Sequence, residues 1–155
     1  MKIIISYIMG FVSCWIIFFG LLYLGESFPL GAAGVSEVKA PADHIKEKNI
    51  IIKDDKIIIK INGASISRYA PTGSMRPVLD TGANGIRIVP SSPDEIHVGD
   101  IISYKWGTSL IVHRVIEKGI DGKGVYFITK GDNNRIPDGK VRFKDIKFLT
   151  VGILW

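Results

Sequence analysis

The sequence predicts an all-β domain preceded by one N-terminal transmembrane helix. Residues 3–24 form a run of 22 residues without a charge or a proline. As a helix this run would span about 33 Å, which exceeds the hydrocarbon core of a bilayer at about 30 Å. After residue 48, short β-branched runs alternate with Gly and Pro, and no segment shows a sustained helical period. We therefore expect the domain to be a small barrel or a coiled sheet.

The apolar run is interpreted as an uncleaved anchor. The apolar region of a cleaved signal peptide is about 7–15 residues long, which is shorter than this run. One lysine precedes the run, whereas three acidic residues and one lysine follow it up to Asp43. This bias favours an N-terminus inside the cell. We expect a single-pass protein of the cell membrane whose β domain lies on the extracytoplasmic side.

The amino-acid composition divides the chain into three segments. Residues 1–26 are the predicted anchor, and residues 27–48, rich in Gly, Ala, Pro and Ser, are a flexible tether. The β domain, residues 49–155, begins with an Ile-rich hairpin at 49–61, whose continuous Ile content indicates that the domain or lipid covers both faces. Its core, residues 70–152, contains the other strand-like runs, at 86–89, 101–104, 110–116, 125–129 and 147–153.

Charge and histidine content exclude two classes of function. The net charge of +5 comes from scattered basic residues that are not interleaved with aromatics, so no nucleic-acid groove is predicted. The histidines, at positions 44, 97 and 113, are far apart and have no cysteine partners. Their spacing predicts no metal site and no cofactor.

A serine on a stiff turn is the first candidate for chemistry. Residues 71–77 read PTGSMRP, so that Ser74 follows a glycine and lies between two prolines. These neighbours disfavour a helix and hold the chain in a turn. Such a turn at a sheet edge can expose a hydroxyl together with backbone N–H groups. Taken alone, a Gly-Ser turn is most often structural.

A histidine and two aspartates supply the partners that a nucleophilic serine needs. His113 and Arg114 interrupt an otherwise apolar strand and point to opposite faces of it. Asp132 and Asp138 follow the strand at 125–129 on a turn-rich segment. In isolation, such a histidine is usually a core residue, and such a turn is usually an ordinary polar turn without a catalytic role. Together with Ser74, however, these residues offer a base and an acid that orients the base.

Four short boxes in this order resemble those of the type I signal peptidases. They are GSMRP at 73–77, VGDII at 98–102, VHRV at 112–115 and TKGDN at 129–133. The histidine at the base position resembles the archaeal and endoplasmic-reticulum branch, because the bacterial enzymes have lysine there. The chain departs from the family in its PTGS motif, where SGS is commoner, and in the long stretch before Ser74.

The resemblance implies a role for each candidate residue. Ser74 matches the acylating nucleophile, and His113 matches its general base. Asp138 matches the acid that completes the site, with Asp132 as its rival. Thr72 lies where the family usually has a serine, and its hydroxyl and the backbone N–H of Ser74 are the expected oxyanion hole.

The resemblance also implies a function. It is that of a membrane-bound serine endopeptidase, a hydrolase that removes signal peptides from exported preproteins during protein secretion. The expected partners are preproteins and the lipid bilayer, with accessory membrane subunits left open. A Ser–Lys peptidase would need a lysine at position 113, where the sequence has histidine. The alternative is a catalytically inactive, membrane-tethered β domain that binds peptides or partner subunits.

Overall fold

The structure, a computed structural model, describes Trp15 and residues 38–155. Apart from Trp15, the predicted anchor at 1–26 lies outside the described residues, as does the tether up to residue 37. Within the described residues, no helix has the length and apolar character needed to cross a membrane. Residues 38–155 form one compact unit.

This unit consists almost entirely of antiparallel strands, which confirms the predicted all-β domain. The strands are β1 (Ile50–Ile52), β2 (Ile57–Ile59), β3 (Ser65–Arg68), β4 (Asn84–Ile88), β5 (Ile101–Trp106), β6 (Ser109–Asp121), β7 (Gly124–Lys130), β8 (Lys140–Arg142) and β9 (Ile146–Leu154). Short 3-10 helices occupy Glu47–Asn49, Pro93–Glu95 and Phe143–Asp145. The five predicted runs of the core correspond to β4, β5, β6, β7 and β9, whereas β3 and β8 were not predicted.

Strand β9 joins the two parts of the main sheet. The seven strands follow the order β3-β4-β9-β5-β6-β7-β8. Thr150 of β9 is paired with Arg87 of β4 on one side and with Ile101 of β5 on the other. Among the described strands, the β3–β4 pair therefore meets the β5–β8 part only through β9. Ser74 lies in the connection between β3 and β4, whereas His113 lies on β6.

Two apolar clusters hold the sheet together. The larger one contains the fully buried Ile102, Tyr104, Val115, Phe127 and Leu149. The smaller one contains Met75, Leu79, Ala83 and Ile101. Successive residues of a strand point to opposite faces, so Ile101 and Ile102 of β5 serve different clusters. The smaller cluster fixes the chain directly after Ser74.

The Ile-rich hairpin is present but only partly covered. Strands β1 and β2 form a separate two-stranded sheet in which Ile50 is paired with Ile59 and Ile52 with Ile57. These four side chains share one face and are between 39 % and 78 % exposed. Residues 38–155 therefore do not cover this face, and of the two expected covers, the domain and lipid, only lipid stays a prediction.

The end of the predicted tether contacts the β domain. The Ala42 backbone N–H donates to Asp100 over 2.8 Å, and the His44 ring lies 3.0 Å from the same carboxylate. The Lys39 carbonyl accepts from Arg114 over 3.5 Å. Most of these contacts are made by backbone groups. Amino-acid composition, on which the tether was predicted, carries no information about them.

Leu149 provides a test of this core. Its side chain is fully buried in β9, where it lies opposite Ile88 and Ile102. Replacing Leu149 by alanine should lower the free energy of unfolding by about 2–5 kcal/mol, because it leaves a cavity in the larger cluster. Leu154→Ala, in the same strand but 49 % exposed, is the matched control and should change little. Urea denaturation of both variants measures the difference, and equal losses would contradict the assigned core.

Candidate active site

The structure brings Ser74, His113 and Asp138 together. The Ser74 Oγ atom lies 3.2 Å from His113 Nε2, and His113 Nδ1 lies 2.6 Å from Asp138 Oδ2. With the Nδ1 proton donated to the carboxylate, Nε2 is left as the acceptor that faces the serine hydroxyl. His113 is 8 % exposed, so its ring is enclosed while Nε2 contacts the exposed turn. The arrangement is that of a nucleophile, a base and an acid that orients the base.

Two further hydroxyl groups hold the Asp138 carboxylate. Its Oδ2 atom accepts from Thr129 Oγ1 over 2.7 Å and from the Tyr104 hydroxyl over 2.9 Å. Burial acts to raise the pKa of Asp138, but the hydrogen bonds from His113, Thr129 and Tyr104 outweigh it and hold the pKa below its ordinary value of 3.8. Burial, together with the carboxylate, raises the pKa of Tyr104. Asp138 is thus kept as an anion and Tyr104 as a neutral donor.

The turn that carries Ser74 is held from several sides. Gly73 has a φ of +71°, a left-handed conformation that a residue with a side chain adopts only at a cost. Immediately after Ser74, Met75 is buried in the smaller apolar cluster. The Asn133 backbone N–H donates to the Ser74 carbonyl over 2.9 Å, and its side chain donates to the Gly73 carbonyl over 3.1 Å. Ser74 is therefore fixed both by its own turn and by the turn after β7.

Gly131 allows these two turns to approach each other. A Cβ atom at position 131 would lie 2.6 Å from the Ser74 carbonyl oxygen and 2.7 Å from the Asn134 side chain. Contacts this short are essentially absent for real Cβ atoms, so any larger residue would push the turns apart. The glycine of the TKGDN box is thus required by the close approach of the nucleophile turn.

Thr72 lies beside the nucleophile, as the sequence predicted. Its Oγ1 atom is 3.2 Å from Ser74 Oγ and accepts from the Ser74 backbone N–H over 3.5 Å. The Thr72 hydroxyl and the Ser74 N–H therefore border the same small space next to the serine oxygen. Two donors so placed could bind an oxyanion that forms on a carbonyl attacked by Ser74.

Asp132, the rival acid, has a different partner. Both of its carboxylate oxygens accept from Arg114, over 2.8 Å from Nε and 2.7 Å from Nη2. Both side chains of this bidentate pair are 4 % exposed. Arg114 Nη1 also donates to the Gly99 carbonyl over 2.8 Å. Asp138, not Asp132, is thus the carboxylate that contacts His113.

A cleft of about 430 Å³ opens beside the Ser74 hydroxyl. One wall is the start of β6, residues 110–113, and the other is the segment that follows β3, including Tyr69 and Ala70. Met75 and Leu79 contribute apolar surface. β6 pairs with β7 only from Arg114 onward, so residues 109–113 pair with β5 alone among the described strands. The cleft therefore runs along an open strand edge that ends at His113.

Three residues of this site were not predicted from the sequence. They are Tyr104, Thr129 and Asn133, which position Asp138 and Ser74 through hydrogen bonds. Tyr104 and Thr129 are fully buried, and a hydroxyl buried in a strand needs a partner. That requirement is a signal that could have pointed to a polar group nearby, although it does not identify Asp138.

Asp132 gives the first test of these assignments. Asp132→Ala should lower the free energy of unfolding by about 3–5 kcal/mol, because it leaves the buried Arg114 guanidinium without its carboxylate. Asp80→Ala is the matched control, since Asp80 also pairs with an arginine, Arg76, over 2.7 Å but on the exposed surface. The control should lose far less stability in urea denaturation. A similar small loss in both variants would argue against a structural role for Asp132.

Asp138 gives a pH-dependent test. Folding lowers the pKa of Asp138 below 3.8, so the ionised carboxylate stabilises the folded protein. This stabilisation is fully present above pH 3.8, and it is lost as the pH falls through the pKa of the folded state. The difference in unfolding free energy between wild type and Asp138→Asn should therefore shrink below pH 3.8. Asp94→Asn, whose side chain is 92 % exposed, is the control for removal of one carboxylate. A difference that is the same at pH 6 and below pH 3.8 would contradict the hydrogen-bond donors assigned to Asp138.

Comparisons with known proteins give no relatives for this chain. No family model, no curated protein and no solved structure matches it. The functional proposal therefore depends on the sequence boxes and on the geometry of the Ser74 site.

Proposed function

We propose that this protein is a membrane-bound serine endopeptidase that removes signal peptides from exported preproteins, as the resemblance to type I signal peptidases implies. One observation carries the proposal. Three segments far apart in the chain, at residues 74, 113 and 138, meet in a hydrogen-bonded series of 3.2 and 2.6 Å. Serine, histidine and aspartate in this series are the groups required for acyl transfer.

The first half of the reaction forms an acyl-enzyme. Ser74 Oγ attacks the carbonyl carbon of the scissile peptide bond while His113 Nε2 takes the hydroxyl proton. Asp138, already an anion, stabilises the imidazolium through the 2.6 Å contact to Nδ1. The Ser74 N–H and the Thr72 hydroxyl donate to the oxyanion. His113 then returns the proton to the leaving amine, the C–N bond breaks, and the acyl group remains on Ser74.

The second half restores the serine. A water molecule takes the place of the departed amine and gives one proton to His113 Nε2 as its oxygen attacks the ester. The tetrahedral intermediate uses the same two donors, and its collapse returns the proton to Ser74 Oγ. The peptide leaves with a new carboxyl end. These steps consume one water molecule and need no redox partner.

The cleft suits an extended peptide. The free edge of β6 at residues 109–113 offers backbone groups to which a substrate strand can be added. Strand addition gives affinity without sequence preference, whereas side-chain pockets give specificity. The apolar surface of Met75, Leu79 and Ile111 is adjacent to Ser74 and suits small uncharged side chains near the cut. This agrees with the small residues expected around a signal-peptide cleavage site.

The proposed setting is the membrane surface. The apolar run at residues 3–24 has the length of a bilayer span, and the signal peptide of a substrate is itself an apolar segment. An anchored enzyme and its substrate would therefore share one membrane. The charge bias around the run places the β domain on the extracytoplasmic side in this proposal.

Ser74 and His113 give the decisive test. With the full chain in detergent or lipid, Ser74→Ala and His113→Ala should each slow cleavage of a model preprotein by about 10⁴-fold or more. The cause is loss of the acylation step, so binding of the preprotein should persist. Ser91→Ala, in an exposed loop, is the serine control and should cleave at the wild-type rate.

A labelling experiment separates the enzyme from an inactive binding domain. A fluorophosphonate probe should modify wild type at Ser74 and should not modify His113→Ala, because the serine then lacks its base. Wild type that binds preprotein but neither cleaves it nor reacts with the probe would support the inactive β domain. An active His113→Ala variant would move the base to another residue.

A further inference from the structure

A second group of potentially reactive side chains, His44, His97 and Asp100, lies outside the Ser74 site. The His44 Nε2 atom is 3.0 Å from Asp100 Oδ1, and the His97 Nδ1 atom is 3.8 Å from Asp100 Oδ2. One nitrogen from each ring and a carboxylate oxygen all lie within 4.8 Å of one another, although the spacing of these histidines along the sequence predicted no metal site. The steps of peptide cleavage use none of these three residues.

Asp100 is held as a ligating carboxylate would be. Its side chain is fully buried, which is costly for a charge without partners. Two backbone N–H groups donate to it, from Ala42 to Oδ1 and from His97 to Oδ2, each over 2.8 Å. Carboxylates that bind metals are usually oriented by hydrogen bonds of this kind. Each oxygen that accepts a backbone N–H also has an imidazole nitrogen nearby, His44 Nε2 at 3.0 Å from Oδ1 and His97 Nδ1 at 3.8 Å from Oδ2.

We propose that His44, His97 and Asp100 bind a divalent transition metal, for which zinc is the best match. Zinc takes imidazole nitrogen and carboxylate oxygen at about 2.0–2.2 Å, so tetrahedral ligand atoms lie about 3.4 Å apart. The observed separations, 3.0 Å to Oδ1 and 3.8 Å to Oδ2 of Asp100, lie on either side of that value, so a modest turn of the His97 ring is needed for both nitrogens to meet one oxygen at the same ion. Magnesium and calcium select oxygen ligands and do not favour two imidazoles.

The exposure of the two rings defines how the ion would enter. The His44 side chain is 13 % exposed and is anchored against Asp100, whereas that of His97 is 57 % exposed. The ring centroids are 6.0 Å apart. His97 can therefore turn toward an ion that is first held by His44 and Asp100. Three protein ligands leave a fourth position to water.

Binding would cross-link two parts of the chain. His44 precedes β1, whereas His97 and Asp100 lie in the loop before β5. The metal would replace the hydrogen bond from His44 with coordinate bonds. It would thereby secure the segment at residues 38–44, which in the sequence follows the apolar run at residues 3–24. We expect zinc to reduce tryptic cleavage after Lys39, whose carbonyl contacts Arg114 in the same region.

Zinc titration of the full-length protein in detergent, after treatment with a chelator, tests the proposal. Wild type should bind one Zn²⁺ per chain, and His97→Ala should bind it at least 10-fold more weakly, as expected for loss of a ligand. His113→Ala, which removes the histidine of the Ser74 site, is the matched control and should bind as tightly as wild type. Mg²⁺ at the same concentrations should give no saturable binding.

Cobalt provides a second readout that is independent of stability. Co²⁺ should give the visible absorption of a tetrahedral site in wild type and in His113→Ala, and this absorption should be lost in His97→Ala. His97 is mostly exposed, so its variant should keep the wild-type circular dichroism spectrum. No zinc binding by wild type, equal binding by His97→Ala, or loss of binding in His113→Ala would each overturn the proposal.

Discussion

The ion pair between Arg114 and Asp132 is the interaction on which the arrangement of the domain depends. A buried charge is tolerated only when its partners are in place, so this pair permits few geometries. The guanidinium also donates to the carbonyls of Gly99 and Lys39, and so joins β6 to the loop before β5 and to residues 38–44. The residue after Asp132 is Asn133, whose backbone N–H donates to the Ser74 carbonyl. The position of Ser74 is thus set by a pair of charges that never touches it.

The alternation of side chains along β6 explains why the two aspartates, Asp132 and Asp138, contact different residues. His113 and Arg114 are adjacent and therefore point to opposite faces of the strand. Asp138 meets the histidine on one face, and Asp132 meets the arginine on the other. The alternation itself can be predicted from the sequence. Which aspartate lies on which face cannot, because both belong to a turn without a regular period, and only the fold of that turn assigns them.

The apolar strands of this chain could be predicted from its sequence, whereas its short polar edge strands could not. β5, β6, β7 and β9 contain β-branched residues and appear near the predicted places. β3 and β8 are short edge strands with charged or hydroxyl residues, and such strands lack the apolar pattern on which prediction relies. The contacts of residues 39–42 with the domain were also missed, because backbone groups make them. Ser74, His113 and an aspartate could be placed in one site because their chemistry is complementary. Thr72 and the preference for Asp138 came from the resemblance to the signal peptidases.

The central place of β9 has a consequence for the timing of synthesis. β9 is the last of the described strands to leave the ribosome. It lies between β3 and β4, which flank the Ser74 turn, and the β5–β8 part, which carries His113 on β6 and Asp138 in the β7–β8 connection. Until it has been made, the two parts of the sheet share no strand through which to align. We therefore expect the complete Ser74 site to form late in translation. For the proposed endopeptidase, this order of strands would keep a nascent chain from cutting peptides.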